Sequence, residues 1–386
     1  MKTKFSVLIS FILMLFISCN EDKIGYSLKN LSIFNSEDDF YSYEYVENND
    51  GILYEVKTGT EPKTDVQKAE EKKQSELEAY TAGTIYTIFV HPLIIEPKLA
   101  FDGDRNQSYM YDWFVTSTEF KAALNELYKR NYILIKSTDI YNYDEKTGKI
   151  YPKQLYLPKG KKPLVFSIDD LNYYPTMKNN GTAQCLYIDD EGNLADKKKI
   201  KGGFENDYGE SIFILEDFIE EHPDFSYKGA RGIIALTGYK GILGYDTQKG
   251  AKNIESEKKK ALMVAQKIKD MGWEFASHSY AHVYCNNVSA SKMNADCKKW
   301  DEEVRPLIGK TCIFIYPFGA EANSANLKVL KENGFRFFLG VAGGTSTLIE
   351  ENYVRLRRRA LDGVMFKYRS KNDFVDIDVV FKKPRK

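Results

Sequence analysis

The sequence predicts an α/β fold, an irregular or incomplete (β/α)7 barrel. Three observations predict it. From about residue 84, short β-rich runs alternate with amphipathic helical stretches over most of the 386 residues. Such alternation buries a parallel sheet under covering helices. Short polar clusters follow four of the runs directly, where a strand–helix barrel places its sites.

The chain opens differently. Lys2 and Lys4 precede the apolar run "FSVLISFILMLFIS", which is too short to span a bilayer comfortably, and Cys19 follows at once. Residues 1–18 read as a lipoprotein signal peptide, with Cys19 the lipidated first residue of an exported protein anchored to the membrane by lipid alone. Residues 19–80 read as a polar spacer. Within it "YSYEYVENNDGILYEV" alternates and turns at Asn49-Asp50-Gly51, a hairpin signal, and "DVQKAEEKKQSELEAY" has the character of a charged helix.

The barrel domain is expected over residues 81–386. Its β-rich runs are "TIYTIFV" (84–90), "YILIK" (132–136), "PLVFSI" (163–168), "RGIIAL" (231–236), "WEFAS" (273–277), "CIFIY" (312–316), "FRFFLG" (335–340) and "YVRLR" (353–357). Between them, "TSTEFKAALNELYKR" opens with a capping box from Thr116 to Glu119 and repeats Phe120, Leu124 and Leu127 at helical spacing. "EKKKALMVAQKIKDMG" and "NLKVLKENG" end on Gly272 and Gly334, as helix C-caps do. The interval near 178–210 fits neither pattern and reads as an insertion.

Charge and cysteine usage narrow the function. A net charge of zero argues against nucleic-acid binding, which needs an excess of Lys and Arg. Cys185, Cys285, Cys297 and Cys312 form no CxxC pair, so a zinc–thiolate site is not expected. Cys285 and Cys297 are left open as either a disulfide or free thiols.

The polar clusters carry the chemistry. His91 follows the first run, Asp169-Asp170 the "PLVFSI" run, His278 and His282 the "WEFAS" run, and Pro317-Phe318-Gly319 the "CIFIY" run. Histidines four apart share a face if the segment is a helical turn, and could grip one cation. Ser279 follows His278, so the general base of an HExxH peptidase is missing. A carboxylate from another strand end would complete a His₂-carboxylate site with an open position, and the Asp pair can divide metal binding from base work.

"PLVFSIDDLNYY", "HSYAH" and "YPFG", in this order, resemble the first three motifs of the polysaccharide deacetylase (NodB-homology) family of carbohydrate esterases. The family patterns are Thr-Phe-Asp-Asp-Gly, His-Ser/Thr-x-x-His and Arg-x-Pro-Phe/Tyr-Gly. The upstream "IFVHPLI", "FVTSTEFKAALNELYKRNYILI" and "LPKGKKPLVFSIDD" are similar to the poly-β-1,6-N-acetylglucosamine deacetylases, and the resemblance spans about residues 84–366. It implies a metal-dependent hydrolase that removes N-acetyl groups from an N-acetylhexosamine polysaccharide. Asp169 would be the general base. Asp170, His278 and His282 would hold a divalent metal, with Zn²⁺ the expected ion. The Phe318 N–H would steady the oxyanion, and His91 would be the general acid, since those relatives take their acid from the N-terminal strand. Tyr316 and Pro317, with Tyr173 and Tyr174, would line the substrate; Trp113 and Tyr280 also lie close to the motifs. A monomer is expected.

Two departures matter. Leu171 replaces the motif Gly, and Ile315 stands where the family has an Arg that pairs with the catalytic Asp. The run Arg355, Arg357, Arg358, Arg359 offers a substitute, with Arg357 or Arg358 expected to reach Asp169. The alternatives are a carbohydrate-binding lipoprotein that has lost turnover, consistent with these two departures, and an O-acetyl polysaccharide esterase.

Overall fold

The computed structural model describes residues 42–47, 53–58, 64–80, 85–341, 347–368, 374–381 and 385. Residues 1–18 and Cys19 lie outside them. The chain divides into two compact units, residues 1–74 and 75–386. In the first, Ser42–Glu47 pairs antiparallel with Leu53–Thr58, and a helix begins at Asp65 and runs to Ser75. Among the described residues, no helix is long and apolar enough to cross a membrane.

The second unit is built on a closed parallel barrel. Its strands are β1 (Tyr86–Val90), β2 (Lys162–Asp169), β3 (Ile233–Leu236), β4 (Glu274–Ser277), β5 (Ile313–Ile315), β6 (Phe337–Val341) and β7 (Tyr353–Ala360). Each pairs in parallel with the next from β2 to β7; β7 then pairs with β1 and β1 with β2, which closes the ring. All eight β-rich runs are strands. The seven-stranded barrel of the expected type is closed; the second run, Tyr132–Leu134, stays outside the ring, pairing with the start of β2 and bridging Ser226 through Leu134.

Side-chain alternation explains the closure. Val165, Ile233, Ala235, Ala276, Ile313, Ile315, Phe337, Leu339, Val354 and Leu356 form one apolar cluster inside the ring. The intervening Leu164, Phe166, Ile168, Ile234, Leu236, Phe275, Phe314 and Phe338 face outward into a second cluster. That cluster includes residues from α1 (Ser117–Lys129), α2 (Ser211–Glu221), α3 (Ile254–Asp270), α4 (Ala290–Glu303) and α5 (Ser324–Glu332). The strands are therefore apolar on both faces, as buried parallel strands are. The capping box at α1 forms as expected, with Thr116 and Glu119 each accepting the other's backbone N–H.

The 178–210 interval contains a three-stranded antiparallel sheet, Leu186–Ile188, Leu194–Ile200 and Gly203–Asp207. The four described cysteines are free thiols.

Candidate active site

The C-terminal ends of the strands bring the polar clusters to one mouth. Strand parity decides which side chains enter it. Asp169 and Arg358 share the inward parity of Val165 and Leu356, so both point into the barrel. There Arg358 forms a fork on Asp169, Nη1 to Oδ1 at 2.6 Å and Nη2 to Oδ2 at 2.8 Å, and Nη1 also donates to Ser167 Oγ. The guanidinium lies 4.2 Å from the centre of the Phe89 ring. Arg357, one residue away and of opposite parity, goes to Glu321 instead. Burial opposes ionisation of Asp169, but Arg358, His278 and His91 outweigh it and hold the carboxyl below its ordinary range. Ile315, where the resemblance has Arg, is part of the apolar interior. The cation comes from β7.

Asp170 leaves the strand in the left-handed region, φ 59°, and its N–H reaches the Ala235 carbonyl at 3.1 Å. Asp tolerates this conformation better than most residues, so the turn forms although Leu171 replaces the glycine. The Leu171 side chain is buried in the outer core. Asn172 then fastens the turn to the next loop: it donates to the Thr237 carbonyl at 3.0 Å and accepts the Thr237 N–H at 3.2 Å. In that loop Gly241 is required, since a Cβ there would lie 1.8 Å from the Tyr245 carbonyl oxygen.

His278 and His282 meet with ring centroids 4.9 Å apart. They do so through a loop rather than the helical turn their spacing suggested. Ser279 and His282 both have positive φ, and the Tyr280 and Ala281 N–H groups donate to the buried Asp296 carboxylate of α4 at 2.7 and 2.9 Å. Asp296 was not singled out in the sequence; nothing local marks it.

Asp170, His278 and His282 each offer one ligand atom, and these atoms lie within 4.8 Å of one another. Asp170 Oδ2 is 3.5 Å from His282 Nε2. The chemistry of the set fits a divalent cation. His278 Nδ1 lies 2.8 Å from the Ile315 carbonyl, which can only accept, so Nδ1 carries the proton and Nε2 is left as the ligand. Burial, against the pull of Asp170, takes the His282 imidazole down to about 4, so the ring is neutral and able to coordinate. Asp170 Oδ1 accepts the Tyr174 hydroxyl at 2.7 Å, leaving Oδ2 for the ion. Thr237 Oγ1 in turn lies 2.6 Å from the Tyr174 oxygen.

His91 stands at the end of β1 with Nδ1 3.0 Å from the Trp113 carbonyl, which again fixes the proton on Nδ1. Its imidazole lies close enough to Asp169, His282 and Asp362 to influence their ionisation. Phe318 also has positive φ, 57°, and its N–H, in the first turn of a 3-10 helix, has no carbonyl of that helix to donate to.

The aromatic expectations need correction. Tyr173 is buried with its hydroxyl on Glu210 at 3.1 Å, Tyr174 is buried against Asp170, and Tyr316 packs on Phe338 in the outer core. Tyr280 is buried with its hydroxyl on Glu303, and Pro317 is buried too. None of these presents a ring face to a sugar. The exposed rings here include Trp113 and Tyr109, and also a pair: Phe318, which the sequence reading named for its N–H alone, and Tyr284, which it did not include. These two stack at 4.0 Å with planes 7° apart, and Phe318 lies 4.3 Å from the His282 ring.

Residues 242–338, which include both histidines and the "YPFG" turn, match the family model for polysaccharide deacetylase. The match is to that stretch and not to the rest of the chain. Solved structures similar to this chain include the Streptococcus pyogenes deacetylase PplD in complex with acetate, 12% identical, covering 75% of this chain and 98% of that one, TM-score 0.44. IcaB from Ammonifex degensii is 10% identical, covering 75% and 97%, TM-score 0.43. A de-N-acetylase from Aggregatibacter actinomycetemcomitans is 15% identical, covering 72% and 95%, TM-score 0.41. The closed strand order, rather than these likenesses, establishes the barrel. No curated protein matches the chain.

Proposed function

We propose that this protein is a metal-dependent polysaccharide deacetylase that removes N-acetyl groups from an N-acetylhexosamine polysaccharide. The observation that carries the reading is the convergence of Asp170, His278 and His282 beside the Asp169–Arg358 pair at the barrel mouth. Two imidazoles and one carboxylate are a three-donor set of the kind that suits Zn²⁺ and leaves its fourth position to water or substrate. A bound cation would supply Lewis acidity toward the acetyl carbonyl and toward water.

The chain's own residues do the rest. Arg358 keeps Asp169 ionised, so it can accept the proton of the attacking water. The Phe318 N–H is the donor for the oxygen that becomes negative. His91 keeps Nδ1–H on the Trp113 carbonyl, so the proton delivered to the leaving amine comes from Nε2. The exposed face of Tyr284 offers a sugar ring an apolar surface beside the site. The departures at Leu171 and Ile315 are compensated by the left-handed Asp170 and by Arg358, which favours an active enzyme over a binding protein. We place it outside the cytoplasm as a monomer, lipidated at Cys19 after loss of residues 1–18.

Acetate release from β-1,4- and β-1,6-linked N-acetylhexosamine oligomers and from O-acetylated xylan tests this. The expected result is release from an amino-sugar oligomer, abolished by Asp169→Asn. Release from xylan alone would make it an O-acetyl esterase, and none from any substrate would leave a binding protein.

A further inference from the structure

His91 takes its orientation from the Trp113 carbonyl, and Trp113 belongs to a short helix, Gln107–Trp113, that is not part of the ring. That carbonyl must therefore be fixed by something else. The carbonyls on either side of it, Tyr111 and Phe114, both accept from Arg385, next to the last residue of the sequence. Nη1 donates to Tyr111 at 2.5 Å and Nη2 to Phe114 at 2.6 Å. The same guanidinium forks onto Glu119, Nε to Oε1 at 2.7 Å and Nη2 to Oε2 at 2.8 Å. Glu119 in turn accepts the Thr116 N–H at 2.7 Å in the capping box of α1.

The Arg385 side chain is wholly buried, and it lies over the rings of Phe101, Tyr111 and Phe381. The chain that leaves β7, where Asp362 caps the helix Gly363–Lys367, closes on the same point. A Cβ at Gly363 would sit 1.7 Å from the Tyr111 carbonyl oxygen, directly after Asp362. A planar fork with donors aimed in several directions can hold one carboxylate and two carbonyls at once; an ammonium cannot.

We propose that Arg385 is a positioning residue for His91. It locks the 111–114 segment, and so the Trp113 carbonyl that fixes the tautomer and direction of the imidazole. The proposal rests on the reading of His91 as the general acid.

The test compares Arg385→Lys, Arg385→Ala and His91→Ala, alone and combined, in the full chain. Misplacing a reacting group by about 1 Å costs roughly 100-fold. Arg385→Lys, which keeps the charge, is therefore expected to lower kcat by about 10-fold or more, with KM, metal content and the circular dichroism spectrum unchanged. In a His91→Ala background the same substitution should have no further effect on kcat. Methylguanidine should restore part of the rate to Arg385→Ala, and none when His91 is also replaced. A second readout needs no turnover. The chain has only four histidines, so the His91 Nδ1–H proton can be assigned by NMR. It should be protected from exchange in the wild type and lost in Arg385→Lys.

Equal losses with and without His91, or an Nδ1–H signal indifferent to Arg385→Lys, would overturn the proposal. A wild type inactive on every acetylated glycan would instead count against the proposed function, with the NMR arm still judging the role of Arg385.

Discussion

Replacing Arg358 by Met should be the most informative single substitution in the barrel interior. The Arg358 and Asp169 side chains are 0% and 4% exposed, so removing the cation leaves a carboxylate in an apolar interior. Breaking a buried pair from one side costs roughly 3–5 kcal/mol, which for a chain of this size lowers Tm by about 4–8 °C. Combining it with Asp169→Asn should return much of that loss, because neither charge is then left alone. The sign with pH also follows. Folding lowers the Asp169 carboxyl despite its burial, because Arg358 prevails. The pair's contribution is therefore present above the ordinary carboxylate value of 3.8 and is lost as pH falls through the lower folded value. Thermal unfolding followed by circular dichroism at a series of pH values measures all three effects. The gap between wild type and Arg358→Met should be full at neutral pH and close in acid. A variant as stable as wild type, or two losses that simply add in the double variant, would refute the reasoning.

Three further outcomes are expected. Tyr174→Phe removes the hydroxyl that occupies Asp170 Oδ1 and should weaken metal affinity by roughly 10–100-fold in competition with a chelating dye. Tyr284→Ala should raise KM for polymeric substrate several-fold while leaving cleavage of a small aryl acetate unchanged, which steady-state kinetics will show. Burial beside Glu210 and Asp207 lifts the Asp196 carboxyl to about 8, so the native state holds a proton that the unfolded chain releases. Stability should then fall as pH rises from about 4 to about 8, by at most about 1.4 kcal/mol per pH unit from this group. Asp196→Asn should flatten that slope in denaturant titrations.

Much of the fold was legible because strand runs and helix caps are local signals. The runs ending in His91, Asp170, His278 and Phe318 marked which polar groups would share a face, and parity along Val354, Leu356 and Arg358 could have separated Arg358 from Arg357. Facing was not legible for the aromatics. Tyr173, Tyr174 and Tyr316 adjoin the motifs in sequence, yet all three turn into the core: the first two because the left-handed residues Asp170 and Tyr173 redirect the chain, Tyr316 because it packs outward on Phe338. The histidine spacing was read as a helical turn for the same reason: Ser279 and His282 are left-handed, and Asp296 holds the loop from another element. The Arg385–Glu119 pair joins groups 266 residues apart and leaves no local trace.

The central claim is that Asp170, His278 and His282 hold one cation. Metal analysis of the purified chain, beside His278→Ala and Asp170→Asn, tests it most directly. One divalent ion per wild-type chain is expected, with a large loss of it in both variants. A wild type that binds no divalent ion under saturating Zn²⁺, or variants that retain it in full, would contradict it.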